Sequence, residues 1–510
     1  MAEFLDKKTS VTQNIALIAA PAISLLIILF VDLDPENKKV TYTFAIAMLM
    51  AIWWVTEAIP LAATALLPVP LFALFGIVDG KTISAMYFNH LIFLFIGGFL
   101  MALAMERWDL HRRIALKILI LFGVSPGRIL MGFMLATSVL SMWMSNTATA
   151  MMMIPIAMSI IFKLEENLGK PKVGKYSIGL LLGIAYSASI GGIATLVGTP
   201  PNLSFARIIN IVFPNAPEIT FADWLLFALP VSAIMFAAAW LLLFVIYKPK
   251  TKWKKLSKDD FRAEHIELGK AKPEEKMVFT LFIILALLWI FRSGFEIQSV
   301  KIPGWSGLFK YPDYINDGTI AIFIAVLLFI IPSKTKKGGR LMNWATARKI
   351  PWRIVLLFGG GFALAKGFVD SGLSLWFGES MSGLATVPPI ILTLIIVGMM
   401  SFLTELTSNT ATTEMILPIL AGLAASININ PLLLMIPATL AGSLAFMLPV
   451  ATPPNAIVFG TNHLQVKDMV KTGFLLNLAG IIIATLLMYF WGTMVFNIEP
   501  SAFPIWAVSG

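Results

Sequence analysis

The 510-residue chain contains no cysteine. Disulfides, thiolate metal sites and thiol nucleophiles are excluded together. Charge is scarce, with Asp, Glu, Lys and Arg making up 13% of residues. Three of the four histidines, His90, His111 and His463, stand at segment ends without metal-ligand spacing. No G-x-x-x-x-G-K string followed by Ser or Thr is present, so the phosphate-cradling loop of an ATP-driven machine is missing. The apolar segments also lack paired carboxylates, a histidine cluster or an activated serine, so nothing points to an enzyme. What remains is apolar. Hydrophobic residues make up 58% of the chain and mean hydropathy is +0.85, with many runs near 18 residues or longer. That composition predicts an all-α polytopic membrane protein. Met1 to Asn14 carries acids and polar residues ahead of the first run, which is not the pattern of a cleaved signal peptide.

Within the apolar background one polar string occurs twice, as Ser145-Asn146-Thr147-Ala148-Thr149 and Ser408-Asn409-Thr410-Ala411-Thr412, 263 residues apart. The same offset pairs Phe99 with Phe362 and Pro155 with Pro418. A second string, Thr199-Pro200-Pro201-Asn202, recurs as Thr452-Pro453-Pro454-Asn455 at an offset of 253. A whole half has been duplicated with its polar breaks in order.

Apolar segments fall at 14–31, 42–57, 60–78, 90–106, 178–198 and 223–247, then at 276–293, 315–332, 353–369, 431–451 and 473–495. Paired arms at 128–144 and 147–163, and at 391–407 and 410–426, flank the two S-N-T strings. Segments 108–122 and 370–385 read as interfacial. The loops at 1–13, 107–128, 163–175, 248–276, 334–353 and 467–471 hold 30 of the 38 lysines and arginines, and the opposite set holds seven. The net charge of +10 is therefore a topology signal, not a nucleic-acid surface. If each pair of arms is one re-entrant excursion, about eleven transmembrane helices remain, with a cytoplasmic N-terminus and an external C-terminus. Each half then carries five crossings and one hairpin, and an odd count makes the halves inverted repeats. The expected division is 1–40 for the N-terminal segment and first helix, 41–262 for the first repeat and 263–510 for the second. Scaffold helices would cover 41–122 and 276–385, and a hairpin with a broken helix 127–213 and 387–465.

At each S-N-T tip the second arm begins, and its first backbone N–H groups have no intrahelical partner. They suit a carboxylate, and Asn146 and Asn409 add amide donors beside the Ser and Thr hydroxyls. Two facing tips match an anion with two carboxylates. The competing reading is an exposed turn, which needs neither duplication nor an uncharged sequence. The prolines release carbonyls around Val197-Gly198-Thr199 and Val450-Ala451-Thr452, and freed carbonyls with Ser, Thr and Asn oxygens suit sodium. A proline kink with no ligand is the plain alternative at either break. Lys366 is expected to snorkel from a helix end, with a fixed cation in place of a sodium as its other reading. Glu405 and Glu414 flank the second tip and are expected to serve pairing or hairpin packing.

At these residues the chain resembles the divalent anion/sodium symporter (DASS) family, the dicarboxylate transporters of the INDY type. Both S-N-T strings carry the likeness, as do Phe95 to Arg112 and the stretch from Ser443 to Val458, which is similar to the family's sodium:sulfate symporter signature. Gly442 departs from that signature, which prefers another small residue. The resemblance implies a homodimer with a scaffold domain at its interface and a transport domain moving as an elevator. It implies substrate contacts from Ser145, Asn146, Thr147, Thr199 and Pro200 and from Ser408, Asn409, Thr410, Thr452 and Pro453. One sodium site would draw on Ser141, Ser145, Asn146 and the Gly198 carbonyl, the other on Thr404, Asn409 and the Thr407 and Ala451 carbonyls. No organic cofactor is implied; sodium ions and the lipid bilayer are the other partners. The leading expectation is a secondary active transporter of C4 dicarboxylates such as succinate, malate and fumarate, with citrate or 2-oxoglutarate as neighbours. A sodium-independent dicarboxylate/tricarboxylate exchanger is the alternative, and an anion channel or a sulfate carrier also remains open.

The absence of native cysteine makes the topology directly testable. A cysteine at Gly169 should react with an impermeant maleimide only from the cytoplasmic side, and one at Ser382 from outside. Cysteines replacing Thr147 and Thr410 should label more slowly when succinate is added. Free labelling at position 147 from outside would make the first S-N-T an external turn and remove the re-entrant hairpin.

Overall fold

The computed structural model describes residues 10–123, 125–249, 258–297, 300–500 and 502–508. Helices α1 (Val11–Phe30) and α2 (Lys38–Thr56) open the chain and pack on each other. The expected segment 60–78 is not one helix. It splits into α3 (Leu61–Thr64) and α4 (Pro68–Leu74), with α5 (Gly80–Ala85) after it. Pro60, Pro68 and Pro70 remove ladder donors here. Side chains take up released carbonyls: the Trp54 indole N–H donates to Leu61 O at 3.1 Å, and the Tyr87 hydroxyl to Ala65 O at 2.5 Å.

Helix α6 (His90–Arg107) leads to α7 (Leu110–Phe122), then to the paired arms α8 (Pro126–Ser141) and α9 (Asn146–Leu168). Helix α10 (Lys170–Gly192) breaks before α11 (Pro200–Val212), and α12 (Phe221–Tyr247) closes the first half. After α13 (Lys258–Glu267) and α14 (Pro273–Ile290) comes a short antiparallel pair, β1 (Gly294–Ile297) and β2 (Val300–Pro303). Then follow α15 (Asp317–Ile330), α16 (Trp344–Ala347), α17 (Trp352–Ser371) and α18 (Leu373–Ser380). The second arms are α19 (Pro389–Leu403) and α20 (Asn409–Ser426); α21 (Leu432–Ala441) breaks before α22 (Pro453–Phe459), and α23 (Val466–Leu487) runs on through a π turn into α24 (Thr493–Val495) before a last short helix, α25 (Ile505–Val508). Among the described residues eight helices are long and apolar enough to cross a membrane.

The duplication read from sequence reappears in where helices begin. α7 and α18, α8 and α19, and α9 and α20 start 263 residues apart, and α11 and α22 start 253 apart. Even the turns correspond: Asp109 before α7 and Gly372 before α18 both hold positive φ, 57° and 82°. Proline is the first helical residue of α8, α19, α11 and α22, where its missing N–H is one the helix would leave unpaired anyway. The prolines of the T-P-P-N strings thus start helices as well as end them.

Packing crosses the halves. α8 lies on α10 and α19 on α21, whereas α11 rests on α20 and α22 on α9. The short helix after each break therefore leans on the returning arm of the other half, which draws both tips to one place. Trp54, Phe72, Tyr87, Leu364 and Phe368 form a smaller core shared by α2, α4 and α17, separate from the large core around the arms. Several charges at segment ends are paired. Arg113 on α7 holds Glu275 and the Gly269 carbonyl; Arg292 holds Asp317 at 2.6 Å and Glu218 at 3.1 Å. Lys366 pairs with Asp370 at 2.8 Å on α17, so it is an ion-paired helix-end residue and not an isolated cation.

Two glycines bear on experiments. Gly169 has φ of 86°, so the label for that turn belongs on the neighbouring exposed Glu166. A Cβ on Gly191 would stand 2.3 Å from Ser138 O, so α10 can meet α8 only without a side chain there. Gly191→Ala should cost about 1–3 kcal/mol through overpacking, read as a lower melting temperature in detergent. An unchanged melting temperature would mean that the two helices are free to separate.

Candidate functional site

The two tips line one cavity of about 680 Å³. Ser145, Asn146, Thr147, Thr199 and Pro200 line it from the first half, and Ser408, Asn409, Thr410, Thr452 and Pro453 from the second. All ten residues expected to contact substrate are thus brought together. Gly198, Thr407 and Ala451 also line it, while Ser141 and Thr404 are fully buried behind it. Lys366 is not among the lining residues.

Local sequence explains each tip. Ser145 is extended (φ −61°, ψ 140°) and its hydroxyl accepts from Ala148 N at 3.1 Å, capping α9 so that Asn146 is its first residue. Ser408 is extended before α20 but makes no side-chain cap, leaving that helix end with more free donors. At the breaks, Thr199 and Thr452 are extended and are followed by two prolines each. Prolines carry no N–H, so the starts of α11 and α22 lose two of the usual orphan donors. The tips therefore offer donors, and the breaks offer carbonyl oxygens.

Those oxygens converge most clearly in the first half. Ser141 Oγ lies 2.6 Å from Asn146 Oδ1 and 2.7 Å from Ala188 O. One hydroxyl proton serves only one of two acceptors, so this cluster is rich in oxygen and short of hydrogen. A Cβ on Gly192 would stand 2.7 Å from Asn146 Oδ1 and 3.2 Å from Gly198 O, so both oxygens border the space a side chain there would fill. In the second half Asn409 Oδ1 is buried without a partner. Thr407 Oγ1 donates to Leu403 O at 2.8 Å or shares a proton with Thr412 Oγ1 at 2.6 Å, and Thr404 Oγ1 donates to Ser401 O at 3.3 Å. Such all-oxygen sets suit a hard monovalent cation such as sodium.

Sequence reasoning missed two parts of the site. Trp54, Val55, Thr56 and Glu57 at the end of α2, with Gln13, Leu61, Phe95, Phe99, Ile354 and Leu357, complete the cavity wall. No local string marks the α2 residues, because tertiary packing alone carries α2 to the tips. Glu57 is the one charged residue of this lining, and no lysine or arginine is present to neutralise an anion. Glu405 proves a structural acceptor: its carboxylate takes the N–H groups of Phe446, Met447 and Leu448 at 2.7–3.0 Å and the Asn477 amide at 2.8 Å. Asn202 and Asn455 were present in the repeated strings but carried no role.

Asn146→Ala and Asn409→Ala should each weaken succinate binding ten- to a hundredfold, since a hydrogen bond to a charged group contributes roughly 1.5–3 kcal/mol. Equilibrium binding on the purified, monodisperse variants checks this. Unchanged affinity in both would place the anion elsewhere.

The sodium:sulfate symporter transmembrane region matches residues 8–498 of the chain. A sodium-dependent dicarboxylate transporter, SdcS, of Staphylococcus saprophyticus is 43% identical over 500 residues, covering 97% of this chain and 94% of its own. The SdcS of Staphylococcus aureus is 44% identical over 499 residues with the same coverage. Among solved structures, the Alcanivorax borkumensis YdaH transporter superposes with a TM-score of 0.57 at 13% identity, covering 88% of this chain and 99% of its own. Neisseria gonorrhoeae MtrF gives 0.56 at 11% identity, with 92% and 97% covered. At such identities these two share the fold alone. The match to nearly the whole chain and the two close relatives carry the assignment: this chain belongs to the sodium:sulfate symporter family, the divalent anion/sodium symporters, and is a multi-pass membrane transport protein, not an enzyme.

Proposed function

We propose that the protein is a sodium-coupled symporter of C4 dicarboxylates such as succinate, malate and fumarate. The observation that carries this reading is a single cavity holding both S-N-T tips and both T-P-P-N breaks, with no fixed cation in its wall. A dianion entering it meets amide and hydroxyl donors from Ser145, Asn146, Thr147, Ser408, Asn409 and Thr410, with Thr199, Pro200, Thr452 and Pro453 completing the contacts. Donors alone leave two negative charges in a low-dielectric site. Sodium ions supply the missing charge, one held by Ser141, Ser145, Asn146 and Gly198 O, the other by Thr404, Asn409 and the Thr407 and Ala451 carbonyls. Anion and cations thereby favour each other's binding, which is the physical root of coupling. The names of the SdcS relatives support the same solute and ion.

Movement follows from the architecture in this reading. Repeats 41–262 and 263–510 each contribute a hairpin and a broken helix, at 127–213 and 387–465, to a transport domain. That domain slides as an elevator against scaffold helices of a homodimer. Part of the remaining cavity wall, Gln13, Glu57, Leu61 and Ile354, lies at segment ends that the lysine and arginine distribution assigns to the cytoplasm. This supports an inward-open state, with the N-terminus cytoplasmic and the C-terminus external.

Purified protein in liposomes tests the proposal. Radiolabelled succinate should accumulate in empty vesicles under an inward sodium gradient, and replacing sodium with potassium should cut the rate at least about tenfold. Where sodium charge exceeds substrate charge, a negative-inside potential adds about 2.3 kcal/mol of drive per net charge per 100 mV. Uptake that needs succinate-loaded vesicles and ignores sodium would overturn symport in favour of exchange.

A further inference from the structure

The asparagine that closes each T-P-P-N string has a role beyond the contacts above. Asn202 and Asn455 are the third residues of α11 and α22, and both are fully buried. Each turns its amide back onto the irregular stretch ahead of its prolines. Asn202 Nδ2 donates to Thr195 O at 2.7 Å and lies 3.2 Å from Ile193 O and 3.4 Å from Gly192 O. Asn455 Nδ2 donates to Leu448 O at 3.0 Å and to Ala445 O at 3.3 Å. The registers agree: Thr195 and Leu448 precede their asparagines by seven residues, Gly192 and Ala445 by ten. Two halves whose surroundings differ have kept one clamp.

In both halves the other side-chain oxygen, Oδ1, is buried without a partner. An unmade hydrogen bond inside a protein is destabilising, and a small apolar residue would avoid it. The position therefore demands the amide donor. Its targets explain why. A Cβ on Gly198 would stand 2.4 Å from Gly192 O, and one on Gly192 would stand 2.7 Å from Asn146 Oδ1. Gly192, held by the clamp, thus sits between Asn146 and Gly198, where two of the oxygens offered to the first ion meet.

We propose that Asn202 and Asn455 are positioning residues of the two sodium sites, clamping the break backbone so that Gly198 O and Ala451 O are presented at fixed geometry. The proposal rests on the sodium-coupled reading above. Without the clamp each break can relax to other hydrogen bonds, and the ion must reorder it on binding. The cost falls on sodium affinity, not on the rate once sodium is saturating.

The experiment is a sodium titration of succinate uptake in proteoliposomes for the wild type, Asn202→Ala, Asn455→Ala and Asn210→Ala. The last is a control, because the Asn210 amide holds only Ala206 O of its own helix, at 3.1 Å. Orienting residues behind metal ligands typically alter affinity 10–100-fold, so half-saturating sodium should rise about tenfold in each clamp variant. The maximal rate should stay within about twofold and the control should match the wild type. A fallen maximal rate with unmoved half-saturation would make the asparagines merely structural, and no change in either would make the clamp idle. Where a variant does not transport, the sodium dependence of its melting temperature in detergent decides, with a shift to higher sodium expected and an unmoved midpoint overturning the proposal. Sodium-independent uptake by the wild type would instead sink the coupled reading itself, before any variant is compared.

Discussion

Everything in this molecule depends on keeping non-helical backbone satisfied inside a membrane, where no bulk water pairs with exposed N–H and C=O groups. Two helices are broken in mid-course, and each break survives because side chains supply partners. In the first, Thr195 Oγ1 donates to Met142 O at 2.5 Å, the Trp224 indole N–H to Ile193 O at 3.0 Å, and Asn202 takes the carbonyls beside them. In the second, Asn455 does the same for the carbonyls, and the freed amides go to Glu405. Since Met142 and Glu405 both lie in the hairpin turns, break and hairpin form one unit in each half.

That unit sorts polar groups by sign. Tips begin helices and leave donors; breaks lead into prolines and leave acceptors. The cavity between them carries no lysine or arginine. In the proposed mechanism this lack is what makes coupling strict, because a fixed cation would bind the dicarboxylate without sodium and let it leak. Lys366, within the apolar segment 353–369, is held by Asp370 and does not line the cavity.

The two halves are not copies in detail. Ser145 caps its helix and Ser408 does not, and the second break spans a longer irregular stretch that needs a carboxylate where the first half has methionine. The candidate ion sites differ accordingly: the first is a tight group around Ser141, Asn146 and Ala188, while the second leaves Asn409 Oδ1 alone.

The sequence by itself determined the membrane class, the duplicated halves, the hairpins and the two kinds of polar string, S-N-T and T-P-P-N, that meet in the cavity. It could do so because those features rest on local physics: apolar run length, unpaired helix starts, and prolines that stop the ladder. A polar string in an apolar background is conspicuous, and its repetition gave the symmetry. Only the tertiary structure decided the rest. Segment 60–78 has an apolar run long enough for one helix, yet side chains from α2 and the loop before α6 accept a break in it. Gln13, Glu57 and Ile354 reach the cavity from distant segments with no motif of their own, because packing direction is not written in any short string. The amides of Asn202 and Asn455 could not be assigned from sequence either. Hydrogen bonds seven to ten residues back along an irregular chain exist only once the break has its shape, and that shape is set by the hairpin of the same half and the returning arm of the other.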